Sequence, residues 1–110
     1  MKEFRFVNKQ SLKEFKALPE NIRLRFANDL NAICQGKAPF SAIKHLTESV
    51  GSGAIELIIN GKPAYRAVYV AKFKDVVWIL HSFTKTTNGV DKKAMDTAKI
   101  RFKAMQEAMK

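Results

Sequence analysis

Residues 64–85, AYRAVYVAKFKDVVWILHSFTK, decide the fold. Two runs rich in Val, Ile, Tyr, Phe and Trp, 64–73 and 76–83, are separated only by Lys74 and Asp75, which predicts an antiparallel pair joined by a tight turn. Upstream, AIELIIN at 54–60 reads as a third strand, connected to the second through NGKP. Through these apolar runs are threaded Arg66, Lys72, Lys74, His81 and Lys85. Charge placed in the most strand-like part of a chain calls for a reason.

Working outward, EFRFV at 3–7 sets Phe4 and Phe6 on one side and Arg5 on the other, the period of a short strand. The period then changes. Ser11 is placed to cap a short helix, with Glu14 at the capping-box position and Leu12, Phe15 and Leu18 along its apolar edge. Pro19 ends that helix. A second begins near Glu20, where Ile22, Phe26, Leu30 and Ile33 form one apolar stripe, and Gly36 suits its C-cap. Joined only by a Pro-marked turn, the two read as an αα-hairpin that must cover a sheet. Residues 37–53 read as a connection with room for one helical turn. After KTTNGV a last helix starts near Asp91, with Met95, Ala98, Phe102, Met105 and Met109 on one side and Lys93, Lys99, Arg101 and Lys103 on the other.

The order β-α-α-β-β-β-α predicts a single α+β domain over residues 1–110: a small antiparallel-rich sheet with an N-terminal αα-hairpin on one face and a C-terminal helix. The opposite face is expected to stay partly open. That face is the natural place for a site.

Composition narrows the function. The 110 residues carry a net charge of +10 with a sequence pI near 10.0, a prior for a polyanionic partner, nucleic acid first and an acidic protein second. The charge is uneven: residues 1–59 hold 9 basic and 6 acidic side chains, residues 60–110 hold 11 and 4. No apolar run reaches the ~18–20 residues of a membrane span, and the N-terminus lacks a signal-peptide pattern, so no membrane association and a cytoplasmic location are expected. Cys34, the single cysteine, excludes an intrachain disulfide and a cysteine-based metal cluster, and its place on an apolar helix side predicts a buried, inert thiol. With His45 and His81 the only histidines, and no HExxH, EF-hand, Walker, dinucleotide-binding or G-x-S-x-G pattern, no cofactor or metal site is expected.

What remains is phosphate chemistry by cationic side chains. Cleaving RNA without a metal needs a base for the 2′-hydroxyl, charge to stabilise the phosphorane-like transition state, and an acid for the leaving 5′-oxygen. Arg66, His81 and Lys85 fall toward one end of the predicted hairpin, although strand parity alone leaves open whether they share a face. Each has a plain structural alternative. Arg66 suits an ion pair with Glu56 on the neighbouring strand, His81 a core histidine satisfied by a carbonyl, and Lys85 a solvated strand end. Tyr65 and Tyr69 suit base stacking or sheet packing. Lys72 and Lys74 suit surface charge beside a turn.

The ordered set Glu56-Leu57, Tyr65-Arg66-Ala67-Val68-Tyr69, Leu80-His81-Ser82-Phe83-Thr84-Lys85 and a final helix around Ala98 resembles the RelE/ParE toxin superfamily, in particular its phage-derived, HigB-like branch. SLKEFKALPENIRLRFANDL, from Ser11 to Leu30, is similar to that family's helical hairpin, so the resemblance spans nearly the whole chain. It implies a type II toxin-antitoxin toxin: a metal-independent endoribonuclease that cleaves mRNA at the ribosome and inhibits translation. It also implies a cognate antitoxin, a helix-turn-helix protein, bound in a hetero-oligomer. By motif match Arg66 takes the arginine that contacts the scissile phosphate, and Lys85 the basic residue acting as acid or phosphate clamp, with His81 a further catalytic candidate. Lys62, Tyr65, Tyr69, Lys72 and Lys93 are the expected RNA-binding positions. The chain departs from the pattern where many members follow Glu-Leu with arginine and this one has Ile58. Lysines of some ribosome-dependent members are here Leu57 and Ile59, for which Lys62 is a substitute. Two further classes stay open: a ParE-like gyrase inhibitor without nuclease activity, and a basic nucleic-acid-binding module.

Overall fold

A computed structural model describes all 110 residues. The chain begins with β1 (Glu3–Phe6), α1 (Lys9–Lys16) and α2 (Glu20–Cys34). Helix α1 starts earlier than the Ser11 cap predicts. Asn8 is the N-cap: its Oδ1 accepts from the Ser11 amide at 2.8 Å, while its own amide donates to Ser11 Oγ at 3.1 Å. Ser11 thus closes the capping box from the third helical position instead of opening one, which frees Glu14 for other partners. Pro19 caps α2, and Gly36 follows its end with φ +76, a left-handed conformation that suits glycine. The two helices do not pair along their length as an αα-hairpin; each lies mainly against the sheet strands.

The remaining elements are β2 (Ala42–His45), β3 (Ala54–Ile59), β4 (Ala64–Val70), β5 (Val76–Lys85) and α3 (Lys92–Ala108). They form one five-stranded mixed sheet in the order β1-β5-β4-β3-β2. Strands β2 to β5 pair antiparallel to their neighbours, and β1 closes the far edge by pairing parallel to β5, Glu3 to Phe6 against Val76 to Ile79. Strand β2 corrects the expectation of a connection over 37–53. All four of its side chains are exposed, so no buried period marks it in the sequence. Its approach is fixed by Asp29, fully buried in α2. The Asp29 carboxylate accepts from the Phe40 and Ser41 amides at 2.8 and 3.0 Å and from Ser41 Oγ at 2.6 Å.

Two apolar clusters sandwich the sheet. Phe15, Ile22, Phe26 and Leu30 of the first two helices, with Leu18 from the turn between them, meet Leu57, Ala67, Tyr69, Val77 and Ile79 on one face. On the other, Met95, Ala98, Phe102 and Met105 of α3 meet Ala54, Val68, Val70 and Leu80, with Leu46 and Val50. The second face is therefore open only where α3 does not reach.

A single extra residue in β5 determines what occupies that opening. Tyr69 pairs with Ile79, but the next residue of β4, Val68, pairs with His81, so Leu80 is bulged out of register. Before the bulge Val77 and Ile79 face α1 and α2. After it the odd positions change sides, and His81, Phe83 and Lys85 lie opposite Val68, Arg66 and Ala64 on the α3 face. Arg101 of α3 donates to the Leu80 carbonyl at 2.9 Å, satisfying a backbone group that the bulge disturbs.

Candidate functional site

The uncovered part of the α3 face is a cleft of about 560 Å³. Arg66, Lys85, Glu56 and Phe83 come to it from the central strands, Lys44 and His45 from β2, and Asp91 from the start of α3. The parity question is thereby answered: Arg66 and Lys85, on neighbouring antiparallel strands, line one cavity because of the Leu80 bulge.

Arg66 is nine-tenths buried. Its guanidinium donates to the Tyr65 carbonyl at 3.1 Å, to Asn60 Oδ1 at 3.4 Å and to the Ile59 carbonyl at 3.5 Å, all near the β3–β4 turn. Its Nε lies 3.7 Å from Glu56 Oε1, so the ion pair anticipated from neighbouring strands exists, as a long and single contact. A guanidinium held mostly by long, neutral contacts retains donor capacity for an entering anion. Burial pushes the Glu56 carboxyl above its ordinary value, more than Arg66, Lys44 and Lys85 pull it down. Lys85 donates to the Thr87 carbonyl at 2.7 Å from the rim.

His81 stands beside this cleft. Its Nδ1 lies 2.8 Å from Glu14 Oε1, and a carboxylate only accepts, so Nδ1 carries the proton and donates. Arg101 binds both oxygens of Glu14, at 2.7 and 2.9 Å. Burial alone would push the Glu14 carboxyl up, yet the hydrogen bonds from Arg101 and His81 hold it below the usual carboxylate value. Burial likewise holds the His81 imidazole below the usual histidine value, against the pull of Glu14. The cluster joins α1, β5 and α3, and its other side borders a second cleft of about 340 Å³ with Lys93, Thr97 and Gln10. Phe83 lines both clefts and stacks on His81, ring centroids 4.9 Å apart and planes 21° apart.

The other sequence-derived positions divide. Lys93 lines the second cleft. Lys62 is exposed in the β3–β4 turn, at the Arg66 end of the sheet but outside the cleft lining. Lys72 lies beyond the opposite end of β4, its ammonium donating to the Ser52 carbonyl at 3.1 Å and 5.3 Å from the Phe102 ring, so it does not join Arg66 and Lys85. The two tyrosines lie on the opposite face of the sheet. Tyr69 is 3% exposed in the core beneath α1 and α2, where burial pushes its phenol up to about 12, and Tyr65 packs half-buried on that same core. Neither ring reaches the cleft face.

Three cleft residues escaped the sequence reading as functional groups. Glu56 was visible as a partner for Arg66 and as part of the Glu-Leu motif but without a chemical role of its own, and Lys44 and His45 lie on a strand that left no periodic signal. No group of three or more His, Cys, Asp or Glu side chains is placed to hold a metal ion. The arrangement combines fixed cations with a buried, protonatable carboxyl, which suits binding a phosphodiester and moving a proton beside it.

No helix is long and apolar enough to cross a membrane. The family described as phage derived protein Gp49-like (DUF891) matches residues 13–103, a span from α1 into α3 that includes both clefts. No curated protein matches the chain.

Proposed function

The chain belongs to the Gp49-like family of phage-derived proteins, and from that membership together with the cleft we propose that it is the toxin of a type II toxin-antitoxin system, an endoribonuclease that cleaves mRNA without a metal. The observation that carries the reading is the convergence of Arg66 and Lys85 beside Glu56 in one cavity. The RelE-like resemblance of the strand motifs supports it.

In this mechanism a phosphodiester enters the cleft with its non-bridging oxygens against Arg66 and Lys85. The Glu56 carboxylate takes the proton of the 2′-hydroxyl, and the 2′-oxygen attacks phosphorus. Arg66 stabilises the charge that grows on the equatorial oxygens. The bond to the 5′-oxygen breaks, and that oxygen takes a proton from the Lys85 ammonium. The products are a 2′,3′-cyclic phosphate and a 5′-hydroxyl. His81 acts here as a positioning residue that holds Phe83. Translation inhibition, action at the ribosome in the cytoplasm and neutralisation by a helix-turn-helix antitoxin in a hetero-oligomer belong to the same proposal.

Induction in growing cells, followed by primer-extension mapping of transcripts and a supercoiling assay, tests it. New transcript ends that vanish with Arg66→Ala are expected. Altered DNA topology with intact transcripts would replace the nuclease by a gyrase inhibitor, and neither effect would leave a basic binding module.

A further inference from the structure

Phe83 occupies an unusual place for a large apolar side chain. It is half-buried, between two polar clefts, on the strand position opposite Arg66. One ring face lies on His81. Along β5 the next residue on the same side is Lys85, and the ring borders both clefts, so the surface that His81 leaves uncovered is open to a ligand that spans them. The backing is rigid: His81 is 9% exposed and tied to Glu14, which Arg101 grips with two hydrogen bonds. A ring immobilised in this way loses little entropy when a planar ligand stacks on it.

The second cleft continues past Phe83. It holds two acidic groups, and both are engaged: Glu14 by Arg101 and His81, and Asp91 as the N-cap of α3, accepting from the Ala94 amide at 3.0 Å. Arg101 is likewise taken up by Glu14 and the Leu80 carbonyl. Lys93 is the charged side chain left for an incoming group. A cation, an aromatic platform and a pair of cations therefore succeed one another across the two clefts.

We propose that the second cleft is a subsite for the nucleotide adjacent to the scissile phosphate of a single-stranded RNA, with Phe83 as the base-stacking platform and Lys93 as the phosphate contact. This rests on the nuclease reading of the first cleft. Stacking is indifferent to base identity, so the subsite contributes affinity and alignment along the strand without setting sequence preference.

Fluorescence titration of a non-cleavable 2′-O-methyl hexanucleotide, compared with six versions carrying one abasic position each, tests the subsite. Against the wild-type protein, one abasic position is expected to weaken binding by about tenfold, the scale of one base-aromatic stack. Phe83→Leu should bind the intact probe about tenfold more weakly and lose its sensitivity to that position, while Phe83→Tyr restores both. Lys93→Gln, an exposed substitution that leaves packing unchanged, should lower affinity and flatten the salt dependence, and Lys99→Gln on the same helix should do neither. Equal sensitivity to every abasic position in wild-type and Phe83→Leu proteins would overturn the subsite. If Arg66→Ala still weakens probe binding in that case, the nuclease reading survives alone. Probe binding insensitive to Arg66 and Phe83 alike would remove both.

Discussion

Replacing Arg101 by methionine should cost far more than removing a surface charge. The guanidinium makes two hydrogen bonds to Glu14, 2.7 and 2.9 Å, and one to the Leu80 carbonyl, 2.9 Å. The Arg101 and Glu14 side chains are only 12% and 17% exposed, so solvent screens the pair poorly. Breaking one partner of a buried pair costs about 3–5 kcal/mol, and leaving a bulge carbonyl unsatisfied adds to it. Taking about 3 kcal/mol as the lower bound, with an unfolding entropy of roughly 2 cal/mol/K per residue, the midpoint falls by about 13 °C. Thermal unfolding followed by far-UV circular dichroism at neutral pH measures this. Glu14→Leu should cost a similar amount, and the double variant should regain most of either loss because no lone charge remains buried. A drop below about 4 °C for Arg101→Met, or strict additivity in the cycle, would show that the pair does not hold the bulge.

The same cluster fixes a pH dependence. His81 binds its proton less readily folded than unfolded, so stability should fall as pH drops below its ordinary value of 6.5, because the unfolded chain takes up the proton first. Glu14 is also depressed, so its contribution is present above 4.5 and is lost as pH falls through its lower folded value. Midpoints measured from about pH 7.5 to 4 should show the first loss in wild type and lack it in His81→Gln. Glu56 is raised from 4.5, so cleavage that uses its carboxylate as base should increase with pH through that elevated value. Glu56→Gln should remove this limb and about 10²–10⁴ of the rate, and a retained limb would assign the base elsewhere. Gly51→Ala should destabilise by about 1–3 kcal/mol, since an added Cβ runs into the Phe102 ring; an unchanged melting midpoint would show that the ring moves aside freely.

The legible parts of this molecule are those where burial leaves a period. Ile22, Phe26, Leu30 and Ile33 form the α2 stripe against the sheet, and the last three strands lie close to where alternation and turn residues put them. Helix α3 starts where expected, with Asp91 as its N-cap, and Cys34 is a buried thiol whose pKa burial pushes up. Three features were out of reach. Strand β2 exposes every side chain and so carries no alternation. The parallel pairing of β1 with β5 joins residues more than seventy positions apart, which no local pattern encodes. Leu80 bulges within an unbroken apolar run, VVWIL, where nothing distinguishes an extra residue from an ordinary one. The motif residues Arg66 and Lys85 could be named from sequence, but their meeting in one cleft depended on that bulge. The burial of Tyr69 beneath α1 and α2 was not legible either, because a tyrosine in a strand looks the same whichever side it faces.

The Leu80 bulge also sets a rule for how this strand can change length. A substitution in β5 alters one side chain, whereas losing one residue between Val77 and Leu80 would invert everything after it and send Lys85 toward the apolar core of α1 and α2. Insertions and deletions there are compatible with the fold only when they come in pairs, or when a single loss is matched by a single gain further along. Among natural variants of this chain, the length of β5 should therefore keep its parity even where its amino acids drift.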